Sequence, residues 1–151
     1  MEVGIKNKSE FDKVYNDLGI FTYHDDGFEV TLDNRKYFVK WWSIIGLVGY
    51  KKDLYSFDTI GLNVLCDNQL HFSFYEETPG WFQFLQHTKA VFKQIPEHWE
   101  IDIATPVFEP KPTLIYDRHG RTLAEFVSDE YPDPKLSLFR RFINRIMHGL
   151  D

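Results

Sequence analysis

The sequence predicts an α+β fold: a curved antiparallel sheet or partly open barrel capped by an amphipathic helix, with an N-terminal helix before it and a C-terminal ribbon plus helix after it. Three observations carry that reading. In residues 58–66, Ile60, Leu62 and Val64 alternate with Thr59, Gly61 and Asn63. After an Asp67-Asn68-Gln69 turn, Leu70, Phe72 and Phe74 repeat the period of two, as in a hairpin with one buried face. Thr78-Pro79 then offers an N-cap and a proline at the first helical position. Trp81, Phe84, Leu85, Thr88, Val91, Phe92 and Ile95 follow on one helical face before Pro96, so Trp81 is expected to be buried against the sheet. Aromatic residues make up 17% of the chain, with 14 Phe, 8 Tyr and 4 Trp, a supply of flat rings suited to filling the space between a curved sheet and a helix across it.

The flanking elements follow in order. Ser9 caps a short helix with Asp12 three residues on; Phe11, Val14, Tyr15 and Leu18 make its stripe and Gly19 its left-handed stop, so it reads as a lid. Residues 20–23 and 28–32 read as strands about His24-Asp25-Asp26-Gly27, whose Asp-Gly pair signals a hairpin, with Phe28, Val30 and Leu32 inward. After Asp33-Asn34-Arg35, residues 36–42 form a third strand with aromatics on both faces: Tyr37, Val39 and Trp41 against Phe38, Lys40 and Trp42. Ser43-Ile44-Ile45 reads as a tight helical turn, and Gly46 and Gly49 as a bend or bulge that curls the next strand toward barrel closure. Beyond Pro96, the prolines 106, 110 and 112 predict an extended, loop-rich stretch. Residues 113–116 and 122–127 read as a hairpin about Asp117-Arg118-His119-Gly120, and Asp133-Pro134 opens a last helix with Leu136, Phe139, Phe142, Ile143 and Ile146 inward.

The 151 residues fit one domain with one core. Cys66 is the only cysteine, so neither an internal disulfide nor a multi-cysteine zinc site can form, and a lone Cys ending a strand reads as a small core residue. Residues 1–8 hold no apolar stretch of the secretory kind, and the most apolar run, 38–50, is broken by Lys40 and Ser43, so a cytoplasmic protein is expected. Seventeen Lys and Arg against 23 Asp and Glu leave a formal charge of -6, which opposes the counterion release that drives nucleic-acid binding and favours a basic protein partner.

The order of hairpin, aromatic strand, Trp42-Ser43-Ile44-Ile45, a strand through Tyr50-Lys51-Lys52-Asp53, the 58–75 hairpin and a capped helix with Trp81 resembles the pleckstrin-homology-like superfamily over residues 20–96. That resemblance implies a curved seven-stranded barrel plugged by one helix, and a domain that binds lipids or proteins and seldom catalyses. It leaves residues 97–151 as a C-terminal extension, and the helix before residue 20 is likewise not part of it. Where lipid-binding members carry several Lys and Arg in the first hairpin loop, this chain has His24-Asp25-Asp26-Gly27, which would repel phosphate. The small, acidic character is also similar in composition to bacterial toxin-immunity proteins, some of which use this architecture.

Each candidate site has a bland reading beside it. His24-Asp25-Asp26 offers metal-capable side chains, but neighbours in a turn diverge and a closed site needs further ligands, so a solvated turn is the expectation and no metal or cofactor is assigned. His98 with Glu97 and Glu100 lacks a nucleophile and an oxyanion hole, so no catalytic residue is assigned; His71 and His87 read as marginal or satisfied histidines. Asp53 and Asp58 bracket Leu54-Tyr55-Ser56-Phe57: a capped turn, or two carboxylates around the partner-facing anchors Tyr55 and Phe57. Lys135, Arg140, Arg141 and Arg145 make the last helix basic, a solvated face or a membrane-surface contact too weak for stable anchoring. The leading expectation is a non-enzymatic protein-binding module using Asp25, Asp26, Asp53, Tyr55, Phe57 and Asp58, with an immunity protein that occludes a basic toxin as its specific form. The alternatives are a peripheral ligand-binding or membrane-associated domain using the basic helix, and an unrecognised hydrolase.

Overall fold

The computed structural model describes residues 2–53, 58–105 and 112–132. In chain order they form α1 (Glu2–Asn16), β1 (Phe21–His24), β2 (Gly27–Leu32), β3 (Arg35–Lys40), one 3₁₀ turn (Trp41–Ser43), β4 (Ile44–Asp53) and β5 (Asp58–Cys66). There follow β6 (His71–Tyr75), α2 (Trp81–Val91), α3 (Trp99–Ala104), β7 (Thr113–Asp117) and α4 (Leu123–Glu130). The architecture is α+β, with two antiparallel sheets ordered β1-β2-β3 and β6-β5-β4-β7; among the described residues they do not close into a barrel.

The first sheet is set by two turns of different chemistry. Asp33 and Asn34 both adopt left-handed φ, 48° and 62°, which is the two-residue turn that matches strand twist, so Leu32 pairs with Arg35. The Asp25-Asp26 turn has no positive φ, and His24 pairs with Gly27. The predicted hairpin is therefore present, but Gly27 serves another purpose: a Cβ there would lie 2.2 Å from the Val39 carbonyl oxygen, so its absence lets β3 close on β2. Phe28 and Val30 are fully buried and Leu32 half-buried, as their alternation predicts.

The predicted helical turn is displaced. It occupies Trp41–Ser43 and not residues 43–45, so the third strand ends at Lys40 and β4 starts at Ile44. The Trp41 ring turns into the core while Trp42 is left outside. Bulging is found at Gly46, where the register slips between Ile44 and Gly46 against β5; the second slip, against β7, falls between Leu47 and Val48, and Gly49 itself keeps register with Leu62 and Thr113. Both glycines also admit helices, since a Cβ at Gly46 would meet the Phe126 ring at 2.7 Å and one at Gly49 the Trp99 ring at 2.6 Å. β5 is more buried than its alternation predicts, Thr59 and Asn63 being as enclosed as Ile60 and Leu62.

α2 packs across the space between the sheets through Trp81, Phe84, Leu85 and Thr88, all buried. Phe84 is the hub: its ring centroid lies 4.6 Å from Phe21, 5.1 Å from Phe74 and 5.2 Å from Phe28. The predicted cap is corrected, because Gly80 at φ 90° is the N-cap. Thr78 Oγ1 instead accepts from Tyr75 N at 3.0 Å, so Thr78-Pro79 shapes the strand-to-helix connection. The helix also ends earlier, at Val91, which is exposed; Phe92 and Ile95 reach the core from the following turn.

α1 starts at Glu2, before the predicted Ser9 cap. Its predicted inward stripe is mostly exposed, Phe11, Val14 and Leu18 among it, while Tyr15 stacks on Phe82 of α2 and Phe11 meets the same ring at a tilt, with centroids 6.4 Å apart. Gly19 is left-handed, as expected. Within the stretch predicted as extended after Pro96, residues 99–104 instead form α3, whose Trp99 and Ile103 join the main core. The predicted ribbon is half right. β7 pairs antiparallel with β4, but its expected partner at residues 122–127 is helical. Thr122 Oγ1 accepts from Glu125 N and Glu125 Oε2 accepts from Thr122 N, a capping box that starts α4 and seats Phe126 on Ile45, Val48 and Leu65. Residues 106–111 and the predicted last helix from Asp133 lie outside the described residues. Among the described residues no helix is long and apolar enough to cross a membrane.

Candidate interaction face

The four described residues of the six predicted as partner-facing fall in two separate places. Asp25 and Asp26 are exposed at the β1–β2 turn. Asp53 ends β4 in register with Asp58, the first residue of β5. The Asp58 carboxylate is 3.8 Å from Lys51 Nζ, a lysine only 2% exposed that also donates to the Ala104 carbonyl at the end of α3 (3.3 Å). Asp58 thus neutralises a buried cation at the edge of the core. Tyr55 and Phe57 lie outside the described residues.

Around Asp25 and Asp26 the fold assembles a larger surface. The pleat directs Thr22 and His24 of β1, Glu29 and Thr31 of β2, and Lys36, Phe38 and Lys40 of β3 away from the core. Glu29 is the cross-strand neighbour of Phe38, and His24 bridges them, with Nε2 3.4 Å from a Glu29 carboxylate oxygen and its ring edge-on to Phe38 at 5.7 Å. The Trp41 amide donates to the Asp26 carbonyl at 2.9 Å, which fastens the acidic turn to the 3₁₀ turn carrying Trp42. Lys40 Nζ lies 5.6 Å from the Trp42 ring centroid. Trp42 is 65% exposed and Phe38 45%. Sequence reasoning noticed aromatics on both faces of this strand but did not choose Phe38 and Trp42 as anchors. Their signal is that they share a face with Lys40, whereas Val39 and Trp41 alternate into the core.

A separate feature is an open cleft of about 660 Å³ between α1 and the β6–α2 connection, lined by Lys13, Asp17, Glu76, Glu77, Trp81 and Phe82. Its carboxylates serve the fold. Both Glu77 oxygens accept from Thr59 Oγ1, at 2.7 and 2.8 Å, and Glu76 accepts from the Ile60 amide at 3.2 Å.

Burial raises the Cys66 thiol to about 11, with the Ser43 hydrogen bond opposing it, so the sulfur stays protonated and poorly nucleophilic at neutral pH. His87 stacks on Tyr23 with centroids 3.5 Å apart, and its Nδ1 lies 2.7 Å from the Gln83 carbonyl, the geometry of a protonated Nδ1 donating. Burial raises the Tyr23 hydroxyl and lowers His71. Near His98, Lys89 donates to the Glu97 carbonyl at 2.6 Å and pairs with Glu100 at 2.8 Å, which clamps α2 to α3. Among the described residues, no three His, Cys, Asp or Glu converge on a metal-sized site. No family model, no curated protein and no solved structure matches this chain.

Proposed function

We propose that this protein is a protein-binding module that recognises a basic partner through the outer face of β1-β2-β3. The observation that carries the reading is the exposure of Phe38 on a hydrogen-bonded sheet and of Trp42 on the 3₁₀ turn that follows it, beside a turn of two adjacent aspartates. Large aromatics in solvent with charged residues around them have the composition of binding hot spots, in which the ring supplies buried area and the rim supplies orientation. The net charge of -6 supports a basic partner by long-range steering. An immunity protein that occludes a basic toxin is the specific form of this proposal, supported by charge and size. The membrane reading rested on Lys135, Arg140, Arg141 and Arg145, outside the described residues, and no observation favours the hydrolase.

The test is affinity capture from a lysate of the source cells, comparing the immobilised wild-type protein with Trp42→Ala and with the double variant Asp25→Lys/Asp26→Lys, each with native circular dichroism. A basic polypeptide is expected on the wild type at low salt, released as salt rises toward ~0.5 M, where the Debye length is well below its ~10 Å at 0.1 M. With that polypeptide purified, the aspartate variant should slow association and Trp42→Ala should speed dissociation. If no polypeptide distinguishes the wild type from both variants, the proposal is wrong. For the immunity form, the captured polypeptide should be toxic when expressed alone and harmless when co-expressed with this protein.

A further inference from the structure

We infer that Arg118 is a positioning residue for Trp42, holding that side chain in its exposed pose before any partner arrives; this rests on the proposal that Trp42 is an anchor. A 3₁₀ turn of three residues has little stability of its own, because few hydrogen bonds fix it. Here it is tied down from outside. Arg118 follows β7, and its backbone amide donates to the Ile45 carbonyl at 3.0 Å, which brings the side chain back over the start of β4. From there Nη2 donates to the carbonyl of Trp42 itself and approaches the Ile44 carbonyl at 3.4 Å. The same nitrogen is 3.6 Å from the Asp67 carboxylate, which orients the guanidinium. Asp67 closes the arrangement by donating its backbone amide to the Ser43 carbonyl at 2.9 Å, while Ser43 Oγ donates to the Lys40 carbonyl at 2.8 Å. Residues from two other parts of the chain, Arg118 and Asp67, thus hold the backbone of a turn whose outward side chain is 65% exposed.

The functional consequence is preorganisation. An aromatic whose backbone is already fixed loses less conformational entropy on binding, so the clamp raises affinity without touching the partner. All three contacts are made by Nη2, so the clamp depends on where the long Arg118 side chain places that one nitrogen, a placement the shorter, three-donor ammonium of a lysine does not reproduce.

5-Fluorotryptophan labelling tests the inference without a partner. The chain has 4 Trp. Trp41, Trp81 and Trp99 are buried, so the Trp42 fluorine line should respond most to exchanging H₂O for D₂O, and Trp42→Phe assigns it. In Arg118→Ala that line should shift or broaden while the other three stay, and the amides of residues 43–45 should exchange faster. Arg118→Lys should fall between. An unmoved Trp42 line with unchanged exchange in Arg118→Ala overturns the inference. If Arg118→Ala moves all four lines, Asp67→Asn decides, since it leaves the guanidinium but removes its guide: a change confined to the Trp42 line supports the clamp, and no change overturns it. Against a captured partner, Arg118→Ala should weaken binding by about tenfold through lost preorganisation. A clamp seen by fluorine without that loss would refute the anchor reading alone.

Discussion

Replacing Phe84 by Ala should remove the centre of the fold. Phe84 is fully buried on α2, and its ring meets one aromatic from β1, one from β2 and one from β6, so it is the side chain through which the helix engages both sheets. Deleting a buried Phe costs about 3–5 kcal/mol through lost transfer energy and the cavity left behind. The stacked contact with Phe21 and the edge contacts with Phe28 and Phe74 favour the upper part of that range, since aromatic pairs contribute roughly 0.5–1.5 kcal/mol beyond area. Domains are stable by only about 5–15 kcal/mol, so the variant should unfold at markedly lower denaturant. Urea titration followed by tryptophan fluorescence measures this directly, with Trp81 reporting from the same helix. Val91→Ala, at the exposed end of α2, is the control and should change stability by no more than about 0.5 kcal/mol. A Phe84→Ala loss as small as the control's would refute the packing argument, and a cycle with Phe21→Ala that shows no coupling would refute the stacked contact.

Thr122→Ala should cost about 1 kcal/mol by removing the capping box of α4, read as a lower thermal midpoint. Asp117 is buried, which opposes its ionisation, yet side-chain and backbone bonds from Arg121 and the His119 backbone outweigh that and hold its pKa below the usual carboxylate value. Its stabilisation is therefore present above the unfolded-state value of about 4 and lost as pH falls through the folded one, so urea titrations across about pH 2–6 should show an acid-sensitive component that Asp117→Asn removes. Cys66, 2% exposed with its thiol raised to about 11, should resist a thiol reagent at neutral pH in the native protein and react fully in denaturant; fast native labelling would contradict its burial.

How legible was the fold? The elements read from long periodic runs are present. The 58–75 hairpin and the buried face of α2 follow from burial period, which local exceptions cannot erase. Boundaries were lost where two local signals competed. Thr78-Pro79 has the chemistry of a cap, but Thr78 spends its hydroxyl on the Tyr75 amide, and left-handed Gly80 takes the capping position. Residues 122–127 read as the second arm of a hairpin about Asp117-Arg118-His119-Gly120, although Thr122 and Glu125 stand at capping-box spacing and specify a helix start. α3 was missed because the nearby prolines dominated the reading, while Trp99 and Ile103, four apart, are the pair that seals it onto β4. For the candidate face, the acidic turn was legible from composition. Arg118 was not: it stands 76 residues from Trp42, and only pairing of β7 with β4 brings it near.

The two faces of the first sheet explain how a small three-stranded element can present a fixed outer surface. Phe28, Val30 and Val39 point inward, and Phe28 contacts both Phe84 and the inward ring Trp41. A side chain on the outer face of the same strands shares their backbone, so its position is set by packing on the opposite side. The pair Trp41 and Trp42 carries this to its limit: consecutive residues of one turn, one buried to 8% and the other exposed to 65%. Displacing the backbone of Trp42 would require the backbone beside a buried indole to move as well, against the core on one side and the Arg118 hydrogen bond on the other. Rigidity of that kind is not needed for solubility, where a lysine would serve better than an indole. It is what an aromatic needs if it is to enter a partner's pocket without first losing its own freedom.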